Sequence, residues 1–127
     1  LTERFTLEGG LDYVRGTNRL LDAPLPRIPP LRVRGGLRYQ RNAFQTGGEV
    51  VATADQDRVF GAETPTPGAA IAKLYGACSW ETGPGVSTIT VRLENVGNRR
   101  YWNHLSYIKD FVPEMGRSLR VIYGLEF

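Results

Sequence analysis

The chain has 127 residues, of which 41% are hydrophobic and 23% charged, and its formal net charge is +3. That length suits one domain, and no apolar run approaches the roughly 18 residues that a spanning helix needs. A membrane helix is thereby excluded, but a membrane β-strand is not, because its alternating pattern hides its hydrophobicity. The 13 acidic residues are interspersed among the 16 basic ones, so no dense basic block argues for a nucleic-acid partner.

Six segments alternate with period two and are predicted as strands. In the first, about 3–15, Phe5, Leu7, Leu11 and Tyr13 share one parity. The second, about 31–41, is the cleanest: Leu31, Val33, Leu37 and Tyr39 alternate with Arg32, Arg34, Arg38 and Gln40. In the third, about 43–54, Phe44, Val50 and Ala52 oppose Gln45, Glu49 and Thr53, with Val51 breaking the polar face. The fourth, about 70–81, sets Leu74, Cys78 and Trp80 against Lys73, Ser79 and Glu81, with Ile71 and Tyr75 as exceptions. The fifth, about 87–95, sets Ile89, Val91 and Leu93 against Thr88, Thr90, Arg92 and Glu94. The sixth, about 117–127, sets Leu119, Val121, Tyr123, Leu125 and Phe127 against Arg120, Gly124 and Glu126.

The connections between these segments alternate in length. Gly16–Pro30, Asp55–Ala69 and Val96–Gly116 are long; Arg41-Asn42 and Thr82-Gly83-Pro84-Gly85 are tight turns. Outer-membrane barrels have this rhythm, with short turns inside and long loops outside. It makes strands one, three and five run outward and the others return. Phe5, Tyr39, Phe44, Trp80 and Phe127 then fall at one inner level on the apolar parity, as an interfacial aromatic girdle would. The expected fold is all-β, an antiparallel up-and-down meander of about six transmembrane strands.

Little in the chain points to catalysis. Cys78 is the sole cysteine, so an internal disulfide is impossible, and it reads as a small apolar strand residue. Gly83-Pro84-Gly85 lacks the Lys and helix of a phosphate loop. The sole histidine, His104, shares a loop with Asp110 and Glu114, but the spacing is not that of a ligand set, and a structural loop role is the plainer reading. No Ser/His/Asp arrangement is present. No enzyme activity, cofactor or metal site is expected. Arg32, Arg34 and Arg38 form a basic stripe that either attracts anionic ligands or simply belongs to a polar barrel wall. Arg99, Arg100, Tyr101 and Trp102 either meet a ligand at the outer mouth or pack as an upper girdle.

The stretch Ile89-Thr90-Val91-Arg92-Leu93-Glu94-Asn95-Val96-Gly97-Asn98-Arg99-Arg100-Tyr101 resembles the penultimate strand of TonB-dependent outer-membrane receptors, in which a run ending in (D/E)N…N..Y is common. Asn103–Asp110 and Pro113–Arg117 resemble the last outer loop of one branch of that family, and Leu25–Arg32 and Glu63–Gly68 look like its passages from loop to strand. The resemblance covers nearly the whole chain and is most specific from Ile89 onward. It implies the C-terminal portion, residues 1–127, of a 22-stranded barrel whose lumen holds an N-terminal plug. It further implies a receptor in the bacterial outer membrane that imports a scarce ligand, such as an iron–siderophore, haem or another metal complex, using energy relayed by TonB.

The implied partners are outer-membrane lipid, the remainder of the barrel and its plug, and TonB through a missing N-terminal part. The barrel-assembly machinery would read the closing strand, with Phe127 as an assembly signal. Arg99, Arg100, Trp102 and His104 are the implied candidates for ligand contact in the outer loops. Because the chain begins at Leu1 and its sole Met is Met115, it is expected to be cut or processed from something longer. A soluble small β-barrel with a basic binding face is the alternative; it accounts for the arginines but not for the loop rhythm or the aromatics at one level.

Overall fold

The computed structural model describes residues 4–127. All regular structure in them is β, as the alternation predicts. Six long strands, β1 (Phe5–Asp12), β4 (Arg32–Arg41), β5 (Phe44–Thr53), β6 (Ala69–Thr82), β7 (Gly85–Glu94) and β8 (Ser118–Glu126), form one antiparallel sheet. Its spatial order, β1-β4-β5-β6-β7-β8, is a meander in which every long strand pairs with the next. Five of the six have 9 to 14 residues, enough for the roughly 9–11 that a tilted transmembrane strand needs, and β1 has 8. Residue 3 of the first predicted strand lies outside the described residues.

The predicted rhythm of connections is present. The two short turns are two-residue loops, Asn42-Ala43 and Gly83-Pro84. In each, the first central residue takes a positive φ, 51° at Asn42 and 56° at Gly83, which matches the twist of paired strands. One element went unforeseen: the Pro-rich first loop carries a small hairpin, β2 (Thr17–Asn18) paired with β3 (Ala23–Pro24). Asn18 makes it locally, its Oδ1 accepting the Leu20 N–H at 2.9 Å.

The register sorts the two faces. Leu7, Leu37, Gly48, Leu74, Leu93 and Leu119 lie in one row across all six strands. On the opposite face the corresponding row is Glu8, Gly36, Glu49, Lys73, Glu94 and Ser118. A water-soluble sheet would cover its apolar face. Here that face is open: Leu7 and Leu11 are each 67% exposed and Leu119 66%. The sheet does not curl to enclose this face, as the soluble small barrel would require. Among the described residues the only buried hydrophobic side chains are Val51 and Ile71, and these sit on the polar face near the loop end.

Candidate functional site

All three long loops (13–31, 54–68 and 95–117) leave the same end of the meander, where they are laced together. The third is anchored by the Asn95 of the Glu94-Asn95 pair. Asn95 sits at a φ of 48°, which Asn tolerates, and is buried. Its Oδ1 accepts the Arg99 N–H at 2.9 Å, and its Nδ2 donates to the carbonyls of Arg99 (2.8 Å) and Met115 (3.2 Å). Asn98, at the same φ, accepts the Arg117 N–H at 3.0 Å. The asparagines of this motif are thus clasps that close the base of the loop.

The middle loop holds the other two. Gln56 and Thr66 exchange backbone hydrogen bonds, and Gln56 Nε2 donates to the Ile28 carbonyl at 2.8 Å. The Arg27 N–H donates to the Glu63 carboxylate at 3.2 Å. The Arg27 guanidinium donates to the Leu105 carbonyl at 3.3 Å and stacks 3.3 Å above the Tyr107 ring. Lys109, although buried, is satisfied: Nζ donates to the Thr64 carbonyl and to the hydroxyls of Thr64 and Thr66, both at 2.9 Å. Asp110 is hydrogen-bonded to the Thr64 hydroxyl.

His104 is the centre of this lacing, with 3% of its surface exposed. Its Nδ1 lies 2.8 Å from Thr66 Oγ1. Because Lys109 only donates, the Thr66 hydroxyl proton is free to point to Nδ1, which leaves the ring proton on Nε2. Nε2 faces the Glu63 carboxylate, 3.0 Å from Oε1 but off the line of a well-aligned hydrogen bond. Burial pushes the His104 pKa below its ordinary value. Glu63 pulls it back, while Lys109 and Arg27 reinforce the drop. Tyr101 is pushed up by burial and by the carboxylates of Glu114 and Glu94.

Between these loops and the polar face of the sheet lies an open cleft of about 390 Å³. Val51 and Ile71 form its apolar floor, Tyr101, Trp102 and His104 its loop wall, and Arg32 stands at its side. Of the three breaks in the polar alternation, Val51 and Ile71 are therefore the positions on which the loops pack, while Tyr75 lies outside the cleft.

The sequence-predicted residues are distributed unevenly around this site. Trp102 and His104 line the cleft, whereas Arg99 and Arg100 are exposed and lie outside its lining. Of the basic stripe only Arg32 borders it. Arg34 lies across Gly10, and Arg38 stands 3.9 Å from Glu8. The imagined grouping of His104 with Asp110 and Glu114 does not form, because loop folding brings Glu63 and Thr66 to the histidine instead. Among the described residues no cluster of three or more His, Cys, Asp or Glu is placed to hold a metal.

At the turn end, the Phe5 and Tyr39 rings pack tilted at 49° with centroids 4.9 Å apart, and Trp80 lies 6.5 Å from Tyr123. Phe44 is exposed, and Phe127, just beyond β8, is 93% exposed. Arg27, Gln56, Glu63, Thr66 and Lys109 were not singled out from the sequence, since nothing local marks a loop residue whose partner is another loop. Asn95 carried a signal in its motif, but not the role it plays.

No family model matches the chain, and no curated protein does. Among solved structures it is similar to the copper transporter OprC, with a TM-score of 0.85 and 26% identity over 97% of this chain and 21% of that one. The chain thus spans about a fifth of the length of the transporter it matches. An open antiparallel meander with a bare apolar face, a polar face and loops laced at one end has the architecture of an outer-membrane β-barrel wall, and that is the fold of this chain.

Proposed function

We propose that this chain forms part of the wall and outer mouth of a TonB-dependent receptor that imports a scarce ligand, such as an iron–siderophore, haem or another metal complex. The observation that carries the reading is the position of the laced loops. They close over the polar face at one end, above a cleft lined by Trp102, Tyr101 and Arg32, while the apolar face stays bare for lipid. The polar face is then the barrel interior, and the plug, the other strands and TonB are its partners. Likeness to a copper transporter supports transport, and it puts copper beside iron complexes among the cargoes to be tried. Phe5, Tyr39, Phe44 and Trp80 serve as the inner girdle, with Phe127 as assembly signal, and Trp102 as the first loop residue to meet cargo.

The test compares cells making the full-length protein with cells lacking it, each with and without TonB. Import of radiolabelled copper and of ferric–siderophore complexes is measured. Import of one cargo that needs both the protein and TonB is expected, and it should fall when Trp102 is replaced by Ala. Identical import of every cargo in all four strains would sink the reading.

A further inference from the structure

On the polar face, Thr6, Arg38, Gly47, Tyr75, Arg92 and Arg120 form one row across the six strands. At one end of that row Arg92 and Arg120 are direct cross-strand partners. Residues so placed have their Cβ atoms within about 5 Å, and like charges there repel. Both side chains are exposed. No acidic group relieves them: among the described residues neither Arg92 nor Arg120 has a carboxylate within ion-pair distance. The nearest row of acids is already engaged. Lys73 stands between Glu94 at 3.5 Å and Glu49 at 3.9 Å and draws both carboxylates toward β6.

Tyr75, the neighbour of Arg92 on its other side, leans the opposite way. Its hydroxyl lies so close over Gly47 that an added Cβ there would stand 2.6 Å from it. The pair is therefore uncovered by aromatic or acid, and it lies two residues inward of the third loop on both strands.

We propose that Arg92 and Arg120 form an oxyanion site that takes a carboxylate or phosphate group. Two forked guanidinium groups side by side can each give a bidentate contact to one such anion, and the anion removes the repulsion between them. The inference rests on reading the polar face as the barrel interior. The anion comes either from a free solute entering at the outer mouth or from an acidic side chain of the protein's own interior-filling part.

The full-length protein in detergent separates these sources. Citrate serves as the free probe, and the thermal midpoint is followed at low salt. R92Q/R120Q is compared with wild type and with R38Q, whose arginine has Glu8 beside it. Citrate binding weakened by about tenfold or more in the double variant alone, the loss of a charge-assisted contact, identifies a site for free anions. Equal citrate binding with a lowered midpoint in the double variant identifies an acid of the protein itself. Equal citrate binding with an unchanged or raised midpoint overturns the proposal, because the arginines then simply repel. If the double variant fails to assemble, R92Q and R120Q singly carry the same readouts. Neither measurement involves import, so failure of the transport reading and failure of this site are distinguishable.

Discussion

His104 shows how a single loop residue is set by neighbours distant in the chain. A buried, neutral imidazole accepts from Thr66 and faces Glu63, with Lys109 and Arg27 close by. Its folded pKa lies below the ordinary value, so the folded protein takes up this proton less readily than the unfolded chain. The stability contributed by the neutral ring is complete above the unfolded value, near 6.5, and is lost as pH falls from there through the folded one. The protection of residues 55–69 and 96–116 against hydrogen exchange, taken relative to the intrinsic rate at each pH, should therefore fall in the full-length protein as pH falls from about 7 to about 5. In His104→Gln the same loops should be less protected at neutral pH, and their protection should depend little on pH. Equal pH slopes in the two proteins would assign the effect to other groups.

At the level of the elements, strand alternation and its exceptions mean different things. The regular positions choose a face. Val51 and Ile71, direct cross-strand partners, are apolar on the polar face because loop residues Tyr101, Trp102 and His104 close over them. Ile71 is 8% exposed, whereas Leu119 on the apolar face is 66% exposed. Ile71→Ala is expected to destabilise the full-length protein in detergent by about 2 kcal/mol or more, as a truncated core residue does. Leu119→Ala should cost clearly less, since only detergent or lipid covers it. Denaturant unfolding of the two variants checks this; equal losses would show that the loops do not pack on Ile71.

For the whole molecule, the decisive features are the two open edges and the bare apolar face. β1 and β8 each lack a neighbour on one side among the described residues, and about eight strands is the smallest known membrane barrel. Unpaired edges beside an exposed apolar face invite association. The 127-residue chain alone is expected to aggregate in plain buffer and to disperse only in detergent, as sedimentation will show. A monomer that unfolds cooperatively in plain buffer would contradict the barrel-wall reading.

The alternation in the sequence by itself determined the six strands to within about two residues at most ends, the two faces and the turn positions, because a strand's side chains alternate with a strictly local period. It also determined that the long connections share one end, since antiparallel neighbours reverse direction at every turn. The sequence marked Val51 and Ile71 only as irregularities, and the hairpin within the first loop not at all. The tertiary structure alone decided which loops meet. Thr66 and His104 are 38 residues apart, and Arg27 and Glu63 are 36. Their contacts depend on how three irregular backbones, bent at left-handed residues such as Arg27, Asn95 and Asn98, fold back over the sheet. No repeating pattern encodes such a path, so the partners of His104 became legible only in three dimensions.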